Sequence, residues 1–192
     1  MSVDKIKILG IVGPSGCGKD TAASHLENKF YHIYRKVKLQ TTRPQRNFED
    51  NGYNFITPNE FLKQVLNGDM LNAQEFRGWY YGLSKSALKY EYINVLPMNN
   101  EMVMQMLEEH RDDYDLQLIY IDTDLKQRLQ HILDREENLD CYEVCRRFLS
   151  DKLDYVENDK LIKACKYIIV NLYTDEFYDN IEYCAENAFE GD

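Results

Sequence analysis

Apolar residues fall in short blocks along this chain, and the spacing of each block predicts an element. Ile6, Ile8, Leu9, Ile11 and Val12 crowd residues 6–12 and lead into a glycine-rich turn. Such a run reads as a strand buried on both faces. Thr21, Ala22, Ala23 and Leu26 then open a helix over 19–30. Residues 31–38 alternate roughly, with Tyr31, Ile33, Tyr34 and Val37 set among His32, Arg35, Lys36 and Lys38, and predict a second strand. Residues 41–57 hold Pro44, Gly52 and Thr57 with little periodicity and read as loops with short extended pieces. Phe61, Leu62, Val65 and Leu66 form a helical stripe over 59–67, with Asn59 as the cap. Residues 70–83 are extended and aromatic (Phe76, Trp79, Tyr80, Tyr81), and 84–88 make a short helix. A core strand over 92–96 ends at Pro97, and Met102, Val103, Met106 and Leu107 mark one face of a helix over 100–111. Beyond these come a strand at 116–121, a helix at 125–133, a charged segment at 134–140 and a helix at 144–155. A last strand at 167–170 and a final helix at 176–189 complete the pattern.

Strands alternating with helices predict an α/β chain built on a parallel sheet flanked by helices. The aromatic middle stretch breaks the alternation and is the candidate for a second lobe. The first turn adds chemistry. Gly13-Pro14-Ser15-Gly16-Cys17-Gly18-Lys19 meets the G-x-x-x-x-G-K spacing of a phosphate-binding loop. Its glycines let backbone N–H groups converge, and the following helix adds its positive dipole end. Lys19 would reach the β- and γ-phosphates of a nucleoside triphosphate. The next position, normally a hydroxyl that meets Mg²⁺, holds Asp20, with Thr21 one place late. Three roles are open to Asp20: a carboxylate ligand for a hard cation, a contact through a metal-held water, or a helix cap.

A net charge of -10 over 192 residues argues against a general nucleic-acid binder. The charge is uneven. Residues 28–48 carry six basic side chains and no acidic one, which suits a second anionic ligand. Residues 175–192 carry seven acidic side chains and no basic one, a solvated helix face. Cys17, Cys141, Cys145, Cys165 and Cys184 include no C-x-x-C pair and no histidine set to complete a zinc site. An odd count with no leader pattern predicts reduced thiols and a cytoplasmic location. No run approaches the roughly 20 apolar residues of a membrane span.

Taken together, the motifs resemble those of the guanylate kinase family of nucleoside monophosphate kinases. The phosphate loop is followed by Thr41-Thr42-Arg43-Pro44-Gln45-Arg46, by Gly52-Tyr53-Asn54-Phe55, by Glu60-Phe61 and by Tyr80-Tyr81-Gly82. Arg128-Leu129 and Val170-Asn171 match the family late in the chain. The order and spacing hold over nearly the whole length. The resemblance implies a P-loop kinase fold in which 1–38, 84–125 and 160–192 form the core. An acceptor-binding insert would span 39–83 and a helical lid 126–159. It implies transfer of the ATP γ-phosphoryl to GMP or dGMP with Mg²⁺. Gly13 to Thr21 and Asn171 would then bind ATP. Arg43, Arg46, Tyr53, Asn72, Tyr81 and Leu83 would bind the acceptor. Lys19, Arg43, Arg128, Arg135 and Arg146 or Arg147 would serve the transferring group, with Asp20 at the metal.

The departures from the family pattern cluster on base recognition. Leu39-Gln40 stand where serines are usual, Asn72 where a glutamate reads guanine, and Leu83 where a serine follows Tyr-Tyr-Gly. The family's Asp-x-Asp is absent, and Asn94-Val95-Leu96-Pro97-Met98 fills that region. Guanine offers N–H donors that want carboxylate acceptors, whereas Asn72 has one acceptor and one donor group. A kinase for another or modified nucleotide, or another small phosphorylated acceptor, is the alternative reading. An inactive binding domain of the same family is a third. Arg is in any case the natural bidentate grip for phosphate.

Overall fold

The computed structural model describes residues 5–45, 52–135, 140–156 and 159–190. In chain order the elements are β1 (Ile6–Val12), α1 (Lys19–Lys29), β2 (Tyr34–Lys36), β3 (Leu39–Thr41), β4 (Tyr53–Phe55) and α2 (Pro58–Leu66). There follow β5 (Met70–Phe76), β6 (Trp79–Ser84), β7 (Ile93–Met98), α3 (Asn100–Glu109), β8 (Tyr114–Asp122) and α4 (Leu125–Arg135). The chain ends with α5 (Cys141–Asp151), α6 (Asp159–Ala164), β9 (Tyr167–Val170) and α7 (Glu176–Glu186).

Five strands make an all-parallel sheet in the order β2-β7-β1-β8-β9. From β1 the chain winds out to β2 and β7 on one side and then to β8 and β9 on the other. The C-terminal end of β1 is therefore the point where the winding reverses, the usual place for a ligand in such a sheet. Alternate residues of β1 feed two apolar layers. Leu9 and Ile11 pack with Ala22, Leu26, Phe177 and Ile181 from α1 and α7. Ile8 and Val12 pack with Met102, Met106 and Leu161 from α3 and α6. This two-sided burial explains why the central strand reads as a continuous apolar run.

The second sheet has the order β4-β3-β6-β5. One side of it is the β5–β6 hairpin, turned at Arg77 and Gly78, which both have positive φ (54° and 75°). Thr41 and Thr42 fasten β3 to it. Thr41 Oγ1 donates to the Tyr80 carbonyl at 3.0 Å, and Tyr80 N–H donates to Thr42 Oγ1 at 2.9 Å.

Three local readings are corrected. The cap of α2 is Thr57, not Asn59: Thr57 Oγ1 accepts from Glu60 N–H, the Glu60 carboxylate answers at Thr57 N–H, and Pro58 starts the helix. Of its apolar stripe only Phe61 is buried, stacked on Tyr80 at 5.4 Å between ring centers. Pro97 does not end its strand but lies inside β7. Ile93 N–H and the Val95 carbonyl face β2, so alternation turns the N–H-less Pro97 toward the same side, beyond the end of β2 at Lys36. The helix α6 was not legible in the pattern, and the second strand is shortened to its middle, Tyr34–Lys36, after a turn over 31–33. Of the charged segment, residues 136–139 lie outside the described residues.

Candidate functional site

The phosphate loop leaves β1 at Gly13 and enters α1 at Gly18. Gly13 has φ 148°, and a Cβ there would stand 2.7 Å from Cys17 Sγ. Gly18, the residue before α1, has φ 102°, and a Cβ would stand 2.7 Å from Asn171 Nδ2. Both need glycine for conformation and for space. Asp20 is therefore not the helix cap. Lys19 folds back so that Nζ donates to the carbonyls of Gly13 at 2.6 Å and Pro14 at 2.9 Å. Its charge is thus held over the mouth of the loop. Cys17 is fully buried under it, and burial pushes its thiol pKa up.

Residues far away in sequence brace this loop. Asn171 Nδ2 donates to the Cys17 carbonyl at 2.9 Å, while its Oδ1 takes Tyr173 N–H at 2.8 Å. Asn171 is thus a buried prop behind the loop. Tyr173 donates its hydroxyl to the Gly16 carbonyl at 2.6 Å and stacks on His131 at 4.7 Å between ring centers. Asp151, at the end of α5, accepts from Ser15 N–H at 2.9 Å and from Ser15 Oγ at 3.2 Å. Arg128 Nη1 donates to the same carboxylate at 2.9 Å and to the Ser15 carbonyl at 3.0 Å. Arg128 and Asp151 are both buried, so each charge depends on the other. Sequence reasoning missed Asp151 and Tyr173. Neither belongs to a spacing motif, and Asp151 lies 136 positions from the serine it holds.

Of the residues expected at the acceptor, Tyr53, Tyr81, Asn72 and Leu83 share one face of the second sheet. Tyr53 lies edge-on to Tyr81 at 5.7 Å between ring centers, and the Arg43 guanidinium stands over the rings of Tyr53 (5.7 Å) and Phe55 (5.2 Å). Asn72 and Leu83 are paired across β5 and β6 further along, both buried. Leu83 belongs to the apolar layer with Val37, Leu71, Leu88, Leu96 and Met98. Burial raises the Tyr53 hydroxyl pKa, the charge of Asp20 adds to the rise, and Arg43 and Arg147 oppose it. Arg46 lies outside the described residues, as does the side chain of Arg135, whose backbone closes α4.

From α5, Glu143 gathers three guanidinium groups. Arg146 bonds it through Nε at 2.9 Å and Nη2 at 3.1 Å, Arg147 through Nε at 2.8 Å, and Arg77 from the hairpin tip meets it at 2.6 Å. The Arg146 hydrogen bonds hold the Glu143 carboxyl down to about 2, with Arg147 assisting against the opposing effect of burial. Arg146 also lies over the Phe76 ring at 4.7 Å. The helix α5 and the hairpin are thus clamped together. Of the adjacent pair, both bond Glu143, and Arg146 also packs on the hairpin.

Asp20 is largely exposed at the loop's end, where Oδ1 pairs with Lys36 Nζ at 3.1 Å. Among the described residues no cluster of three or more His, Cys, Asp or Glu side chains could hold a metal ion. All five cysteines are free thiols, and only Cys141 and Cys145, both on α5, are exposed. No helix of the described residues is long and apolar enough to cross a membrane.

Comparison with known proteins agrees with this arrangement. A guanylate kinase from Sus scrofa is 33% identical over 178 residues, covering 86% of this chain and 85% of its own. One from Mesomycoplasma hyopneumoniae (strain J) is 28% identical over 199 residues, covering 96% and 93%. The crystal structure of guanylate kinase from Anaplasma phagocytophilum shares the fold, with a TM-score of 0.61 at 19% identity, over 95% of this chain and 85% of that one. The family model for guanylate kinase matches residues 5–186, nearly the whole chain, and the protein belongs to the guanylate kinase family of nucleoside monophosphate kinases.

Proposed function

We propose that this protein transfers the γ-phosphoryl group of ATP to a nucleoside monophosphate, with GMP or dGMP the first acceptors to test. The observation that supports the reading is a braced phosphate loop with Lys19 folded onto its carbonyls, together with a second face where the Arg43 guanidinium stands over Tyr53 and Phe55 beside Tyr81. Phosphoryl transfer needs positioning and charge neutralisation more than a covalent group. Loop N–H groups from Gly13 to Thr21 would cradle the ATP phosphates, with Lys19 released from the loop carbonyls to meet them. Arg43, Tyr53 and Tyr81 would hold the acceptor phosphate, joined by Arg46. Arg147 would neutralise charge between the two nucleotides. Arg128, tied to Asp151 and Ser15, would shape the loop from the side, and Asn171 would do so from behind.

Mg²⁺ is commonly held by one or two carboxylates beside phosphate oxygens and water, and Asp20 is a donor of that kind. The ion would neutralise charge shared between the transferring phosphates, and Lys36 would have to yield Asp20 to it. The test is an assay of ATP-dependent diphosphate formation across all ribo- and deoxynucleoside monophosphates, with and without a chelator. Turnover of GMP or dGMP that chelation abolishes supports the reading. Turnover of no monophosphate overturns it.

A further inference from the structure

Asn72 lies within β5 and is 1% exposed. Its Nδ2 donates to Gln105 Oε1 at 2.6 Å, and Gln105 Nε2 donates to Glu109 Oε2 at 3.1 Å. The two ends of an amide have nearly the same shape, so its orientation rests on its hydrogen-bond partners. Here the partners decide. A carboxylate only accepts, so Gln105 turns its NH₂ to Glu109. Its carbonyl then faces Asn72, which must answer with its own NH₂. What remains is Asn72 Oδ1, a buried acceptor with no hydrogen-bond partner among the described residues. Leaving such an atom unpaired away from water is unfavorable, so it calls for a donor.

The place of that atom matters. Asn72 sits opposite Leu83, and Gln74 opposite Tyr81. Thr41 is also opposite Tyr81 and beside Phe55, while Leu39 is beside Tyr53. Alternation puts Asn72, Leu83, Tyr81, Tyr53 and Phe55 on one face. The aromatic and Arg43 end of this face suits a phosphate. The orphaned acceptor stands about 7 Å further along the strand, two residues on, beside an apolar leucine.

We propose that Gln105 and Glu109 are positioning residues that set the hydrogen-bond sense of Asn72, so that the acceptor base is read by a single buried acceptor. The inference rests on the monophosphate-kinase reading for its site. A lone acceptor centered on the pairing edge of a base meets the ring atom there. Guanine, thymine and uracil carry a ring N–H at that atom and donate to Oδ1. Adenine and cytosine carry a lone pair, which Oδ1 repels. The site therefore accepts lactam bases of both ring sizes, purine and pyrimidine.

The test is equilibrium binding of GMP, dTMP, UMP, AMP and CMP to the full chain, measured by titration calorimetry independently of turnover. Wild type is expected to bind GMP and at least one of dTMP and UMP at least tenfold more tightly than AMP and CMP. Glu109→Lys is the decisive variant. A lysine donates, so Gln105 turns over and Asn72 presents its NH₂ to the base. The affinity ratio of lactam bases to AMP and CMP should fall at least tenfold. Glu109 ends α3 at an exposed position, where a lysine favors the helix dipole. Gln105→Met breaks the relay without a charge and should shrink the ratio toward unity. An unchanged ratio in both variants, or a wild type that binds AMP or CMP as tightly as GMP, overturns the inference. Binding in the expected order without turnover would sustain it while defeating the kinase reading, and binding of no monophosphate would defeat both.

Discussion

The phosphate loop and the acceptor face are held in opposite ways. Five side chains reach the loop: Lys19 from α1, Arg128 from α4, Asp151 from α5, and Asn171 and Tyr173 from beyond β9. Its carbonyls at Gly13, Pro14, Ser15, Gly16 and Cys17 each have a partner within the protein. The acceptor face is fastened mainly by neighbors in its own sheet, through Thr41, Thr42 and the hairpin, and it keeps a buried acceptor at Asn72 unpaired. On the proposed reading, the carbonyls of the loop for the shared phosphates are satisfied by the chain itself, whereas the face that would meet the base keeps the Asn72 acceptor for its ligand.

The comparison is broken most forcefully at Asp151. Asp151→Ala leaves the buried Arg128 without its counter-charge, which typically costs about 3–5 kcal/mol. Urea unfolding should show that loss, and a change under 1 kcal/mol would mean that the loop does not depend on α5. Lys19→Ala is the next largest effect. Removing a donor aimed at developing charge costs about 10²–10³ in kcat, read in the ATP-coupled assay with unfolding stability little changed.

Effects on the acceptor side should be smaller. Glu143 joins Arg77 to Arg146 and Arg147, partly exposed pairs worth about 0.2–1 kcal/mol each. Its carboxyl is lowered from 4.5 to about 2, so the clamp is fully present above pH 4.5 and is lost as the pH falls toward 2. Trp79, the sole tryptophan, sits two residues from Arg77 and reports this as a change in emission over that range. Glu143→Gln should remove the transition. The smallest effect is expected at the cap of α2, where Thr57→Ala should cost about 1 kcal/mol in the same unfolding experiment and leave turnover within a few fold.

Legibility from sequence followed the range of the physics. The places of the parallel strands along the chain and the loop from Gly13 to Lys19 were readable because burial and backbone conformation are written locally. Thr57 was missed because Asn59 is an acceptable cap in isolation, and only Pro58 and the Glu60 answer together favor the earlier start. Pro97 read as a stop because the pattern does not say where the neighboring strand ends. Asn171 was found through the family motif, but its role as a prop for Cys17 depends on a contact 154 positions away. Asp151 had no local signal at all. The polarity of Asn72 depends on the relay through Gln105 to Glu109, which becomes visible only when α3 packs on β5.

The exposed thiols of α5 give this chain a built-in handle. Cys141 and Cys145 lie two residues to either side of Glu143 on α5, so they point to the face away from the hairpin tip that Glu143 meets. The other three cysteines are shielded to differing degrees, and burial raises the thiol pKa of each. A thiol-reactive dye therefore labels the outer face of α5 first, and leaves the clamp at Glu143 untouched.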